Sequence, residues 1–216
     1  MGFMTRKFAL YMICLALLAG IQFSAVASAE VIVGVKPGDW IEYNVTITGE
    51  VPEQHDVTWC KIEVMVVEDK NVYIDITSRY SDGSEETVPS TLNLETGQIG
   101  DCFIIPANLN AGDVFESPEG TIMISGVKEK TYAGATRSVV YGSNPQTVFH
   151  WDRSTGFLLE AKSSDSEFTM STKAEKTNIW QTQIFGLDQT VFIALIALVI
   201  VAVLALAIFL IRKLKK

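Results

Sequence analysis

Trp40-Ile41-Glu42-Tyr43-Asn44-Val45-Thr46-Ile47-Thr48 alternates apolar and polar side chains without a break from Ile41 onward. A period of two places Ile41, Tyr43, Val45 and Ile47 on one face of a strand and Glu42, Asn44, Thr46 and Thr48 on the other, the pattern of a half-buried β-strand. Cys60, Ile62, Val64 and Val66 repeat it with Lys61 and Glu63 outward, and Val72, Ile74 and Ile76 repeat it after a tight turn at Glu68 to Asn71. The three runs predict an antiparallel meander.

Outward from this core the same signals continue. Further strands are predicted at Thr87 to Leu94, Cys102 to Ile105, Thr121 to Ser125, Arg137 to Tyr141, Thr147 to Trp151, Phe157 to Ala161 and Glu167 to Thr172. Turn residues separate most of them: Ser81-Asp82-Gly83-Ser84, Glu95-Thr96-Gly97 and Asp152-Arg153-Ser154-Thr155-Gly156, where glycine supplies the positive φ of a bulged hairpin. No stretch between the chain ends sustains a 3.6-residue period. The fold class expected is therefore mainly β, an antiparallel curved sheet, half-barrel or sandwich.

Two apolar segments flank this domain. Arg6 and Lys7 precede the run Phe8 to Ile21, and Ala27-Ser28-Ala29 closes it before Glu30, the layout of a cleavable signal peptide. Fourteen helical residues reach only about 21 Å, too short for a hydrocarbon core of about 30 Å. Val191 to Ile211 is different: 21 consecutive apolar residues without Gly, Pro or charge, or about 31 Å of helix. Arg212, Lys213, Lys215 and Lys216 follow at once, which by the positive-inside rule keeps that end cytoplasmic. The expected organisation is a signal peptide at 1–29, an extracellular β-rich domain at 30–180, a juxtamembrane linker at 181–190, a transmembrane helix at 191–211 and a cytoplasmic basic tail at 212–216.

Charge narrows the partners. All 25 acidic residues lie between Glu30 and Asp188 but only 11 of the 17 basic ones do, leaving that segment at −14 within a chain of −8. Such a surface repels phosphate backbones, so nucleic acid is excluded as a partner, while solubility, a basic partner or divalent cations suit it. The membrane is the one partner the sequence names, and an envelope protein, glycan or lipid ligand is expected for the outer domain.

Site candidates are few. Cys60 and Cys102 remain after signal cleavage, and two thiols in one extracellular domain are expected to pair in a disulfide. The alternative is two buried, unpaired thiols. Asn44-Val45-Thr46 is the one glycosylation sequon, with Asn44 on the solvent face. His55 and His150 are the two histidines, and neither has a third metal ligand at recognisable spacing. Asp82, Glu85, Glu86 and Asp165, Glu167 read as solvated hairpin tips rather than calcium loops. With no Gly-x-Ser-x-Gly elbow, His-Glu-x-x-His helix or phosphate loop, no catalytic residue, cofactor or metal is expected.

Lys36-Pro37-Gly38-Asp39 is echoed by Asn110-Ala111-Gly112-Asp113. Gly-Asp is a common way into a strand and accounts for the likeness, a duplicated β-unit being the alternative. Together with Phe103-Ile104-Ile105-Pro106-Ala107-Asn108 and Trp151-Asp152-Arg153-Ser154-Thr155-Gly156-Phe157-Leu158-Leu159-Glu160, the first of these segments resembles uncharacterised archaeal cell-surface proteins with a signal, a β-domain and a terminal anchor. More loosely, the late Asp-x-x-Thr-Gly hairpin is similar to the curved half-barrels of lipoprotein carriers, which implies a cradle for acyl chains. Three functions are in play: a non-enzymatic envelope protein, a lipid- or lipoprotein-binding half-barrel and an extracellular hydrolase. An open apolar concavity of several hundred Å³ marks the second, and the third needs a histidine beside both a carboxylate and a nucleophile.

Overall fold

The computed structural model describes residues 31–49, 56–100, 102–165 and 167–214, and all strand pairings in it are antiparallel: two meanders joined where the first long strand pairs with the last. The segment expected to be a signal peptide, 1–29, lies outside the described residues, as do His55, Lys215 and Lys216.

Ten strands form one sheet: β1 (Trp40–Gly49), β2 (Val57–Glu68), β3 (Asn71–Tyr80), β4 (Glu85–Asn93), β5 (Val114–Ser117), β6 (Gly120–Tyr132), β7 (Ala135–Ser143), β8 (Thr147–Asp152), β9 (Leu158–Ser164) and β10 (Phe168–Thr177). Their order is β4-β3-β2-β1-β10-β9-β8-β7-β6-β5. The first and last strands therefore meet in the middle, Ile41 opposite Thr177 and Gly49 opposite Phe168, and the sheet is open between β4 and β5. Ladder irregularities at Glu42/Tyr43, Val64/Val66, Ile124/Gly126 and His150/Trp151 add local twist and bend the sheet around its core.

Alternation puts Ile41, Tyr43, Cys60, Ile62, Val64, Ile74, Val72, Leu92, Ile122, Ile124, Phe149 and Trp151 inside, all buried. Val66 departs from the expectation and is exposed, because the irregularity after Val64 inserts a residue and turns the rest of the strand over.

Cys102 to Ile105 is not a strand either. The connection from β4 to β5, residues 94–113, carries the chain from one open edge to the other and packs Leu94, Ile99, Cys102, Ile104, Ile105, Ala107 and Leu109 into the core, none more than 5% exposed. It is bonded into the interior at several points: Ile105 N–H to the Gly156 carbonyl at 3.0 Å, Asn108 N–H to Arg153 at 2.6 Å and Leu158 N–H to Phe103 at 2.8 Å. The buried indole of Trp151 donates to the Cys102 carbonyl at 2.8 Å. The apolar run looked like a strand because it is buried, but what it supplies is a strap packed into the core of the open sheet.

The two Gly-Asp segments adopt one and the same structure. Gly38 N–H bonds to Val64 O and Val64 N–H to Asp39 O, each at 2.8 Å; Gly112 N–H bonds to Ile124 O and Ile124 N–H to Asp113 O, each at 2.8 Å. In both turns the aspartate carboxylate accepts the backbone N–H three residues earlier, Lys36 at 3.0 Å and Asn110 at 2.7 Å. The glycines sit at φ +87° and +91°, a region glycine enters without a Cβ penalty. An irregularity in the ladder follows the partner residue each time, at Val64/Val66 and Ile124/Gly126. The echo thus extends from sequence into backbone geometry.

After β10 the chain enters the segment expected as a juxtamembrane linker, 181–190. It forms a small hairpin, β11 (Gln183–Ile184) and β12 (Leu187–Asp188), whose tip residues Phe185 and Gly186 both have positive φ, as a two-residue type I′ turn requires. The hairpin region is tied to the β6–β7 turn: Gln183 N–H donates to Gly134 O at 2.8 Å, Thr136 N–H to Gln183 Oε1 at 3.1 Å and the Trp180 indole to Tyr132 O at 3.3 Å. Helix α1 (Gln189–Leu214) follows directly. Val191, Ile193, Leu195, Leu198 and Val201 on it are exposed. Among the described residues no helix is long and apolar enough to cross a membrane. The described side chains stop at Ala205 apart from Ile208, whereas the helical backbone continues to Leu214.

Candidate functional site

The strap leaves one part of the concave face uncovered. Phe149 of β8, Ala161 and Ser163 of β9, and Phe168, Met170 and Thr172 of β10 line a cleft of about 420 Å³, completed by Phe103 of the strap and by the β5–β6, β7–β8 and β9–β10 turns. Register explains the lining: Phe149 lies opposite Ala161, and Ala161 opposite Thr172, so all three point to one side. Small Ala161 between larger neighbours is what leaves the volume empty. The deep end is apolar and buried, with Leu158 and Phe149 at 2% and 7% exposure. Its mouth is polar, formed by Ser117, Glu119, Asn144, Gln146, Ser164 and Asp165.

The mouth lies at the end of the sheet opposite α1. Gly49 and the turns 117–120, 143–147 and 164–168 share one end, while Trp40, Thr177, the 152–158 turn and the 132–135 turn share the other. Strands of about ten residues separate the two ends by roughly 33 Å.

The convex face carries a second constellation on the alternate residues of the same strands. Glu160 accepts from Lys130 Nζ and from the Tyr132 hydroxyl, both at 2.5 Å. His150 lies with Nδ1 3.3 Å from the Tyr132 oxygen and 3.4 Å from Glu160, and with Nε2 2.7 Å from Lys128 Nζ. Lys128, a donor only, fixes Nε2 as the acceptor and leaves the proton on Nδ1. Burial opposes ionisation of Glu160, but the bonds from Lys130 and Tyr132 outweigh it and hold the carboxyl at about 2. Burial and then Lys128 push His150 below its ordinary value. Burial and then Glu160 push Tyr132 up.

This cluster meets half of what a hydrolase needs. His150 has its carboxylate, but the hydroxyl within reach belongs to Tyr132, whose proton is committed to Glu160 and whose shift disfavours the anion a nucleophile requires. The network is self-satisfied and closes the sheet surface between β6, β8 and β9. Because the folded state resists protonating His150, the unfolded chain takes up more protons as pH falls below 6.5, and stability declines there. Glu160, held near 2, adds its own loss only as pH drops below the ordinary carboxylate range. The expected result is a fall in melting temperature between pH 7.5 and pH 5 that is smaller in His150→Gln, which keeps a hydrogen-bonding side chain and removes the titration; thermal denaturation at the two pH values reads it.

The remaining candidates fall elsewhere. Asn44 is exposed in mid-β1 between Trp59 and Lys173. Cys60 and Cys102 are both buried at 5% exposure, and no disulfide is present among the described residues. The acidic hairpin tips are engaged locally: Glu85 with Arg79 at 2.7 Å, Glu86 with the Tyr80 hydroxyl at 3.0 Å and Asp82 with Ser84. Among the described residues no group of three His, Cys, Asp or Glu converges on a metal position. The cleft itself had no local signal in the sequence, since three separate turns and the strap build it.

No protein-family model matches the sequence, and no curated protein matches it. Among solved structures, the siderocalin Ex-FABP, described as functioning through dual ligand specificities, aligns at 11% identity and a TM-score of 0.26 over 65% of this chain and 72% of its own. At that level neither fold nor ligand transfers.

Proposed function

We propose that the domain is a non-enzymatic binding module of the cell surface that holds a small apolar or amphipathic ligand in the concave cleft. The observation that carries this is the cleft: about 420 Å³ with Phe103, Phe149, Leu158, Phe168 and Met170 at its interior, within the size and character of small-molecule sites. A fully packed core, which would have removed the reading, is not what the strap leaves.

Anchorage is the second half of the proposal. The support for it is in the sequence: Val191 to Ile211 is an apolar run that would make about 31 Å of helix, the thickness of a bilayer core, and Arg212, Lys213, Lys215 and Lys216 after it would keep that end cytoplasmic. The cleft would then open outward, about a strand's length from the membrane, where it meets ligands arriving from outside.

The test is saturable binding of the neutral apolar fluorophore N-phenyl-1-naphthylamine by the full chain in nanodiscs. Ala161→Phe, which fills the cleft, should weaken binding about tenfold or more, as the loss of roughly 1.4 kcal/mol of apolar burial implies. Ser163→Phe, nearer the mouth, is an independent block. No saturable component beyond empty nanodiscs, or one that both variants leave intact, overturns the proposal.

A further inference from the structure

The small hairpin between β10 and α1 carries at its tip a side chain that the turn itself does not call for. Phe185 is 90% exposed and sits at φ +54°, followed by Gly186 at φ +77°. Asn, Asp or Gly normally fills the first place of such a turn, and a bulky residue there is an outlier. The ring therefore carries two penalties, a strained backbone and a bare apolar surface in water. Its aromatic neighbour is not in the sheet but in the helix: Phe192 of α1, with ring centroids 5.8 Å apart. The joint around it is well bonded. Gln189 N–H donates to Thr182 O at 3.0 Å and the Thr190 hydroxyl to Gln181 Oε1 at 3.2 Å, which ties the start of α1 to the chain entering the hairpin. Gln183 N–H and the Trp180 indole hold the same segment to the β6–β7 turn.

From this arrangement we infer that the Phe185 ring inserts into the interfacial layer of the bilayer, a second lipid contact beside the helix, so that the hairpin acts as a shoulder fixing how the β-domain stands over the membrane. The inference rests on the anchorage proposed above and adds a lipid-facing surface outside the helix. Phe192 is the second residue of the apolar run Val191 to Ile211, so the ring beside it stands within about one helical turn of where that run begins. That is the level at which an apolar side chain with polar neighbours gains by leaving water. Charge permits the approach: Asp188 is the one ionisable residue between 181 and 190, whereas Glu30 to Asp188 as a whole carries −14. The acidic surface that repels anionic lipid elsewhere on the domain is thinned out at this tip. Because the hairpin is bonded both to α1 and to the β6–β7 turn, an inserted ring constrains the domain and not merely a loop.

The test is NMR of the full chain in phosphatidylcholine nanodiscs with its phenylalanine rings isotope-labelled. Phe185→Asn, which suits the positive φ, and Phe192→Leu identify the two ring resonances by their disappearance, so the reading itself is made on the native chain. Two relaxation agents are compared: a phosphatidylcholine carrying a nitroxide near the head of its acyl chain, and a water-soluble gadolinium chelate. The nitroxide lipid should remove most of the intensity of both Phe185 and Phe192, the chelate should leave both nearly intact, and the buried rings of Phe115 and Phe157 should keep their intensity with either. A Phe185 signal lost to the chelate and kept with the nitroxide lipid, while Phe192 responds to the lipid, overturns the shoulder alone. A Phe185 signal kept with both agents means that protein, such as a second copy of the chain, covers the ring, and this too overturns the inference. If Phe192 does not respond to the lipid nitroxide, the anchorage beneath the inference fails with it.

Discussion

Replacing Asp152 by alanine is expected to destabilise the domain by about 3 kcal/mol, the cost of leaving the buried turn donors and the partly buried Arg137 without their shared acceptor. Asp152 is 1% exposed and accepts five hydrogen bonds. Oδ1 takes the backbone and hydroxyl groups of Ser154 and Thr155, and Oδ2 takes Arg137 Nε at 2.7 Å. Burial alone would raise its pKa, yet Arg137 and the two hydroxyls overcome this and hold the carboxyl below its ordinary value. Alanine removes every acceptor at once and frees Arg137, whose guanidinium also stacks 4.5 Å from the Trp180 ring beside the hairpin that leads into α1. Chemical denaturation of native and Asp152→Ala protein measures the loss. Asp152→Asn, which retains one carbonyl acceptor for the turn, should fall between them, and equal stability of all three would mean that the turn does not depend on this side chain.

The second large effect is expected at Gly156. Its φ is +77°, and an added Cβ would lie 1.9 Å from the Ile105 carbonyl oxygen, the point where the strap is bonded to the 152–158 turn. Gly156→Ala therefore combines about 1–2 kcal/mol of left-handed backbone cost with displacement of the strap itself. The total is expected at about 3 kcal/mol or more, the range of strain at a special backbone position together with disrupted packing. Gly83 is the control. It has φ +85° and nothing within 4 Å of its would-be Cβ, so Gly83→Ala should show only the conformational part. Similar losses at both glycines would mean that the strap does not press on the turn as described.

These two residues also show what the sequence could and could not disclose. The Asp152 to Gly156 segment was readable as a turn because each residue type carries its own local reason: a carboxylate that caps the following N–H groups, and a glycine for positive φ. Alternation in β1, β2 and β3 was readable because one face of a sheet is buried and the other is wet. Cys102 to Ile105 misled because burial was mistaken for pairing: the strap is packed into the core of the open sheet, and apolar runs of that length do not by themselves show strand pairing. Val66 misled because a single inserted residue inverts a strand. β5 escaped notice at four residues, too short to build an alternation. The hairpin at Gln183 to Asp188 read as linker for the same reason.

The candidate site was further from reach. Its floor comes from residues that look like ordinary inward strand positions, and what makes it a cleft is an omission, the small side chain of Ala161 where the strap does not extend. His150 and Glu160 stand ten residues apart in sequence, and only the β8–β9 pairing sets them opposite one another. Tyr132 and Lys130 reach them through two further ladders, β6–β7 and β7–β8. Pairings of this kind follow from the whole topology, with β10 returning to β1, and no short motif encodes them.

Methyl NMR of the methionines tests the binding cleft most directly. Met170 lines it, while Met65 and Met123 are exposed on the outside at 48% and 58%. Titration of the full chain in nanodiscs with a twelve-carbon alcohol should shift the Met170 methyl resonance saturably and leave those of Met65 and Met123 in place, and Ala161→Phe should abolish the shift. A Met170 resonance that stays fixed while the outer methionines move would contradict the cleft and place any binding on the convex surface instead.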